Sequence, residues 1–357
     1  MLVHMTDRAA ELDQMTDHQA IMSLEREFAG WMVWREGAGR WLNSCFARCH
    51  TTDGGVSGED WADLRDQLIR ATAAPFAAPH AGESHVAGLS DLRDRKADME
   101  TVKSADGTVI AYDQIGAGPA LIISMGAFGT RHTFVAPPEL RQRFTVVTYD
   151  RRGRGDSGDT EPFAPEREYE DLAAVAAAVS QQPPLVFGHS SGASIALRAA
   201  AAGVPLAAVA AYEAPFATQD TPAPPTDPAD HIRELVRGGR RDEAVRFWMT
   251  DVTHMPAEMV AQIEGAPWVK DMEALAHTLP YDLAVSAGGV PAAELAKISV
   301  PVLVLGGADS PDWFRHSVAS QADAIPQGRL RMIDGYGHNA PPELITPILT
   351  GFFGARG

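Results

Sequence analysis

Cysteine is nearly absent from this chain: two residues, Cys45 and Cys49, in 357. That excludes a disulfide scaffold of the kind that holds small secreted domains together. The stretch Cys45-Phe46-Ala47-Arg48-Cys49-His50 also fails as a metal or haem motif. A structural zinc site needs two ligand pairs, and c-type haem attachment has about two residues between its cysteines, one fewer than here. Positive charge is short as well, with 30 Lys plus Arg against 47 Asp plus Glu and a formal net charge of −17. Phosphate backbones and anionic membranes repel such a surface, so nucleic acid is not an expected partner. No apolar stretch approaches the roughly 18 residues of a membrane span. The N-terminal stretch MLVHMTDRAAELDQMTDHQA lacks the apolar core of a secretory signal, so the expected location is cytoplasmic.

What is present is ordinary for a folded protein: 45% hydrophobic and 22% charged residues leave enough apolar side chains for a sizeable core. Composition shifts along the chain. Trp31, Trp34, Trp41 and Trp61 crowd the beginning, and an Ala/Pro/Gly/Ser-rich run, ATAAPFAAPHAGESHVAGLSD, follows as a linker. The expected organisation is a small α+β module over residues 1–75, a linker over 76–100 and a larger domain over 101–357. Within the module, a helix should end at Gly30. Trp31–Trp34 and Arg40–Leu42 should form a hairpin around Glu36-Gly37-Ala38-Gly39, and a helix should start with Ser57 at its cap.

From residue 101 short apolar runs alternate with helix-length segments. Thr101–Lys103 and Thr108–Tyr112 flank Ala105-Asp106-Gly107 as a hairpin. Leu121–Ser124, Phe144–Thr148, Leu185–Phe187, Leu206–Val209, Val302–Leu305 and Arg329–Ile333 are further strands, several apolar on both faces as buried parallel strands must be. Tyr169–Val179 and Ser191–Ala202 read as helices between them. Two antiparallel strands feeding βα units imply an α/β fold with an open, mostly parallel sheet flanked by helices. Residues 217–297 interrupt this rhythm with a helical insertion.

The strongest chemical signal is Gly188-His189-Ser190-Ser191-Gly192, between the strand Leu185–Phe187 and an alanine-rich helix. Small residues on either side allow a tight strand-to-helix turn that lifts Ser190 above the sheet at the positive end of the helix, as a nucleophile requires. Its base should be His338, in a glycine-containing loop after the final strand. Asp309, at the end of the penultimate strand, is the first candidate for the orienting acid. The order Ser190, Asp309, His338 follows the nucleophile-acid-base order of G-x-S-x-G enzymes. Glu213, which ends the preceding strand, is the alternative acid, and Asp312 is a third carboxylate close by. The oxyanion donors should be the amides of Ser191 and of Ala127, the latter in Met125-Gly126-Ala127-Phe128-Gly129. Apolar residues of the insertion mostly form its own core. Phe128, Trp248, Trp268 and Trp313 are expected to line an apolar substrate pocket, and His254 and His277 are read as structural.

Together these residues resemble the α/β-hydrolase family over about residues 100–355. Tyr149-Asp150-Arg151-Arg152-Gly153-Arg154-Gly155-Asp156-Ser157-Gly158 is similar to that family's turn after its fourth strand. The resemblance makes the arginine cluster structural, its charges knitting the turn, and makes the insertion a helical cap. Tyr212–Phe216, Ala274–Asp282 and Gly307–Pro311 look like a group of small bacterial hydrolases. Two departures stand out: Met125-Gly126 replaces the family's frequent His-Gly, and the N-terminal extension is not part of the usual pattern. The resemblance implies a serine hydrolase that needs no cofactor or metal and cleaves a small apolar ester, thioester or lactone through an acyl-enzyme. C–C cleavage, perhydrolysis, cyclisation and a ligand-sensing binding role remain as alternatives.

Overall fold

The computed structural model describes residues 99–354 apart from 224–225, 264–265 and 267, together with three N-terminal strands. The chain divides into two compact units, one of Ser90–His254 and Met272–Gly357, the other of Met1–Leu89 and Met255–Asp271. In the second of these, β1 (Trp31–Glu36) and β2 (Arg40–Cys45) form the expected antiparallel hairpin, with Trp34 opposite Leu42. β3 (Val56–Gly58) pairs antiparallel with β2. Ser57 therefore lies in a strand opposite Leu42 rather than at a helix cap, its backbone drawn into the pairing. The helices expected on either side, and the linker up to residue 98, lie outside the described residues.

The larger unit is built on an eight-stranded sheet in the order β11-β10-β9-β8-β6-β7-β5-β4. β4 (Glu100–Lys103) and β5 (Val109–Gly116) form an antiparallel hairpin whose turn is closed by Gly107, at φ 88°. β5 also runs antiparallel to β7 (Thr145–Tyr149). The rest of the sheet is parallel: β6 (Ala120–Ser124), β7, β8 (Leu185–His189), β9 (Ala208–Tyr212), β10 (Val302–Gly307) and β11 (Gly328–Ile333). Strands β6 and β9 are buried along their whole length, as the helical layers of a parallel sheet demand. Alternate residues feed two cores. Leu121 and Ile123 join Val146, Phe187 and Leu349 on one face, while Ile122 joins Val147, Val186, Leu172 and Ile195 on the other. Each such side chain contributes about 1.5–3 kcal/mol by leaving water.

The helices of the two layers are α1 (Pro138–Arg141), α2 (Pro165–Val179) and α3 (Ser191–Ala201), followed by the insertion. The insertion supplies α4 (Pro228–Arg237), α5 (Arg241–Phe247), a π-helical turn over Trp248–Val252, α6 (Ala257–Ile263), α7 (Val269–Leu275), α8 (Leu279–Ser286) and α9 (Ala292–Leu295). α10 (Asp312–Ala324) and α11 (Pro342–Gly354) complete the chain. Of the insertion's helices, α8 and α9 pack on α3. Among the described residues no helix is long and apolar enough to cross a membrane.

Candidate active site

Strand register assembles the site. His189 stands opposite Tyr212, Tyr212 opposite Leu305, and Gly307 opposite Ile333. The residues that follow these four strands therefore share one edge of the sheet: Ser190 after β8, Glu213 after β9, Asp309 after β10 and His338 after β11. Two backbone bonds lock the first pair, from Ser190 N–H to Tyr212 O (2.9 Å) and from Glu213 N–H to Leu305 O (3.0 Å). On the other side Ser124 pairs with Gly188, which brings the Met125–Gly129 loop against the Ser190 turn.

That turn is sharp. Ser190 has φ 56° and ψ −130°, a left-handed conformation that costs a non-glycine residue of order 1–3 kcal/mol and is concentrated at functional sites. The flanking glycines permit it by close approach. A Cβ on Gly188 would stand 2.6 Å from Ala193 Cα, and one on Gly192 would stand 2.0 Å from Ser124 O. The half-buried Ser190 side chain thus sits at the first turn of α3, whose leading amides have no intrahelical acceptor.

The histidine is fixed from several directions. His338 Nδ1 lies 2.7 Å from Glu213 Oε2, and because an ionised carboxylate only accepts, Nδ1 carries the proton and Nε2 is left as the basic nitrogen. The backbone carbonyl of His338 accepts from His189 Nε2 at 2.8 Å. Tyr212 OH donates to Gly337 O, and Asp309 N–H donates to Tyr336 O at 3.0 Å. Phe314 stacks on the imidazole with centroids 5.2 Å apart, and Trp313 stacks in turn on Phe314 at 4.6 Å.

Glu213 is buried, at 1% exposure, and adopts φ 49°. Its other carboxylate oxygen, Oε1, accepts from Gly307 N–H (2.8 Å) and Ser310 OH (2.6 Å). Burial alone would raise its pKa, but the His338 imidazole, the Ser310 hydroxyl and the Gly307 amide reverse that and hold it below the ordinary glutamate value. For His189, burial and the neighbouring His338 push the pKa down to about 4, so it remains a neutral donor to the His338 carbonyl.

The structure brings Glu213, not Asp309, to His338. The Asp309 side chain is exposed and makes no ion pair or side-chain hydrogen bond among the described residues; its backbone amide alone reaches the histidine loop. Asp312 turns to Arg315 on its own helix. Of the proposed pocket residues, Phe128 meets Trp248 edge-on at 6.2 Å, and Trp313 stands behind Phe314. Trp268 lies in the Met255–Asp271 segment, which belongs to the other compact unit. The amide of Ala127 donates to no acceptor among the described residues, and Gly126 approaches so closely that a Cβ there would lie 2.6 Å from Ser190 Cβ.

Beneath the site, the arginine cluster is buried and paired. Arg151 forks onto Glu168, Arg152 onto Asp171, and Arg154 onto Asp282 of α8, with Arg154 Nη2 at 2.9 and 2.7 Å from its two oxygens. Sequence reasoning found the arginines but not these acidic partners, Glu168 and Asp171 on α2 and Asp282 on α8. Ser310 and Phe314 were missed as well. The signal for Ser310 was only a small hydroxyl residue one place after Asp309.

A mostly parallel eight-stranded sheet, a serine at a left-handed strand-to-helix turn and a carboxylate-bound histidine after the last strand define the hydrolase class. The chain belongs to the alpha/beta hydrolase family, whose model matches residues 116–344, and it is a hydrolase. An alpha/beta hydrolase from Sphaerobacter thermophilus is similar, with 45% identity and a TM-score of 0.67, covering 71% of this chain and all of that one (100%). A Mycobacterium tuberculosis protein, BpoC, provisionally named a non-heme bromoperoxidase, is 27% identical over 68% of this chain and 97% of its own length. An esterase from Rhodococcus sp. ECU1013 shares the fold at 20% identity and a TM-score of 0.52, covering 73% of this chain and all of that one (100%).

Proposed function

We propose that the protein is a serine hydrolase of small apolar esters, thioesters or lactones, with Ser190 as nucleophile, His338 as base and Glu213 as acid. The observation that carries this reading is the 2.7 Å contact between His338 Nδ1 and Glu213 Oε2, on the sheet edge where Ser190 emerges. With Nδ1–H committed to Glu213, His338 Nε2 takes the Ser190 proton as Oγ attacks the substrate carbonyl. The negative oxygen that develops is held by the amides of Ala127 and Ser191. His338 returns the proton to the leaving alcohol or thiol as the carbonyl bond to it breaks. Water, deprotonated by the same imidazole, then releases the acid from Ser190. The Glu213 carboxylate stays ionised throughout and stabilises the imidazolium that forms between these steps. The Phe128–Trp248 pair and the Trp313–Phe314 stack suit an apolar acyl or aromatic group.

The test is hydrolysis of p-nitrophenyl butyrate by purified wild-type protein and by Ser190→Ala. Wild-type turnover that vanishes in the variant supports the reading; turnover surviving in Ser190→Ala refutes it. The likeness to BpoC favours a second reading, in which hydrogen peroxide replaces water at the acyl-enzyme and a peracid leaves. Peroxide-dependent bromination of a diketone in acetate buffer, lost in Ser190→Ala, distinguishes the two.

A further inference from the structure

Asp282, on α8 of the insertion, is buried beneath the Ser190 turn. Its Oδ1 accepts from Ser191 OH at 2.6 Å and from Arg151 Nη1 at 2.7 Å, and both of its oxygens accept from Arg154 Nη2. Arg154 Nη1 in turn donates to Gly126 O at 2.6 Å. The Gly126 carbonyl and the Ala127 N–H belong to one planar trans peptide, so fixing the first fixes the direction of the second. A charged donor on that carbonyl also polarises the peptide and strengthens its N–H as a donor. On the other side of the hole, Ser191 carries the second proposed amide, and its hydroxyl is tied to the same carboxylate. The Ser190 carbonyl, in the same peptide as the Ser191 N–H, is pinned by Ala193 N–H at 2.8 Å.

We propose that Asp282 is a positioning residue for the oxyanion hole, setting both donor peptides from one carboxylate, through Arg154 for Ala127 and through the hydroxyl for Ser191. The inference rests on the serine-hydrolase reading above. It gives the helical insertion a part in the chemistry: α8 carries the group that aligns the donors, in addition to covering the sheet. The charges close locally, since Arg151 and Arg154 face Glu168 and Asp282. Glu168 therefore offers a matched control. It neutralises the same cluster, yet among the described residues neither Arg154 nor Ser191 hydrogen-bonds to it; its hydrogen bonds there come from Arg151.

The experiment measures the rate of Ser190 phosphonylation by a fluorophosphonate, whose P–O⁻ develops in the hole as fluoride leaves, alongside kcat and KM for p-nitrophenyl butyrate. Asp282→Asn should slow phosphonylation and kcat by about 100-fold, the scale of one lost oxyanion donor, with KM within about twofold. Ser191→Ala, which keeps the amide but cuts its tether, should lose about tenfold in both rates. Glu168→Gln should lower the melting temperature yet keep both rates within about threefold. Rates unchanged in Asp282→Asn, or a Glu168→Gln loss as deep as that of Asp282→Asn, would overturn the proposal. Should Asp282→Asn not fold, Ser191→Ala decides: wild-type rates there overturn it. Failure of the wild type to label at Ser190 would instead refute the serine-hydrolase reading itself.

Discussion

Replacing Glu213 with Gln is the perturbation whose consequence the structure determines most fully. The two carboxylate oxygens differ in their surroundings: Oε1 receives two donors, from Gly307 and Ser310, and Oε2 faces His338 Nδ1. A glutamine has one oxygen, and the two donors on the Oε1 side require it there. Its NH₂ is thereby directed at His338 Nδ1, which must then accept, so the imidazole proton moves to Nε2. In that tautomer Nε2 is no longer a base for Ser190. A comparable amide replacement in a catalytic triad costs about 10⁴-fold in kcat, and Glu213→Gln should approach that loss. The side chain keeps its volume and its Oε1 bonds, so circular dichroism and the melting transition should stay close to wild type. Asp309→Asn, made in parallel, should change kcat by less than about threefold, because the Asp309 side chain is exposed and only its backbone holds the histidine loop. The assay is kcat for p-nitrophenyl butyrate at pH 8 in both folded variants. A Glu213→Gln enzyme within tenfold of wild type, or a deep loss in Asp309→Asn, would show that the acid role belongs elsewhere.

Further outcomes follow from the same geometry. Ser190→Ala should lower kcat by about 10⁶-fold, leaving only binding and oxyanion effects; a smaller loss in a steady-state assay would point to another nucleophile. Gly126→Ala should fold but lose at least about 100-fold in kcat. Its Cβ would lie 2.6 Å from Ser190 Cβ and 3.1 Å from Oγ, and small misplacements of reacting groups are costly on this scale. The His189 imidazole stays neutral in the fold down to about pH 4, whereas an unfolded chain protonates near 6.5. Between those values the unfolded state binds more protons, so this group makes the fold less stable as pH falls through that window. Melting temperature against pH should accordingly slope less between pH 6.5 and 4 in His189→Gln than in wild type.

The inner strands were legible because they are short and mostly apolar, and because buried parallel strands need both faces apolar; Val186 and Phe187 in β8 serve opposite cores. The elbow at Ser190 was legible for a local reason: Gly188 and Gly192 are where a Cβ would collide. The partner of His338 was harder to read, because Glu213 and Asp309 both follow strands that end on the same edge. What separates them is three-dimensional. Glu213 turns inward at φ 49° into a nest of donors, whereas the chain at Asp309 turns its side chain out to solvent. Likewise the arginines of the Asp150–Gly158 turn announced a charged knot, but its key acid, Asp282, lies 131 residues from Arg151 in sequence. No local pattern reveals such a pairing.

The account's central claim is that Ser190 forms a covalent acyl-type intermediate. Mass spectrometry of the protein quenched in acid during turnover of p-nitrophenyl butyrate tests it most directly. The account predicts one butyryl adduct on the peptide containing Ser190, absent from Ser190→Ala. Turnover with no adduct, or an adduct on any other residue, would contradict it.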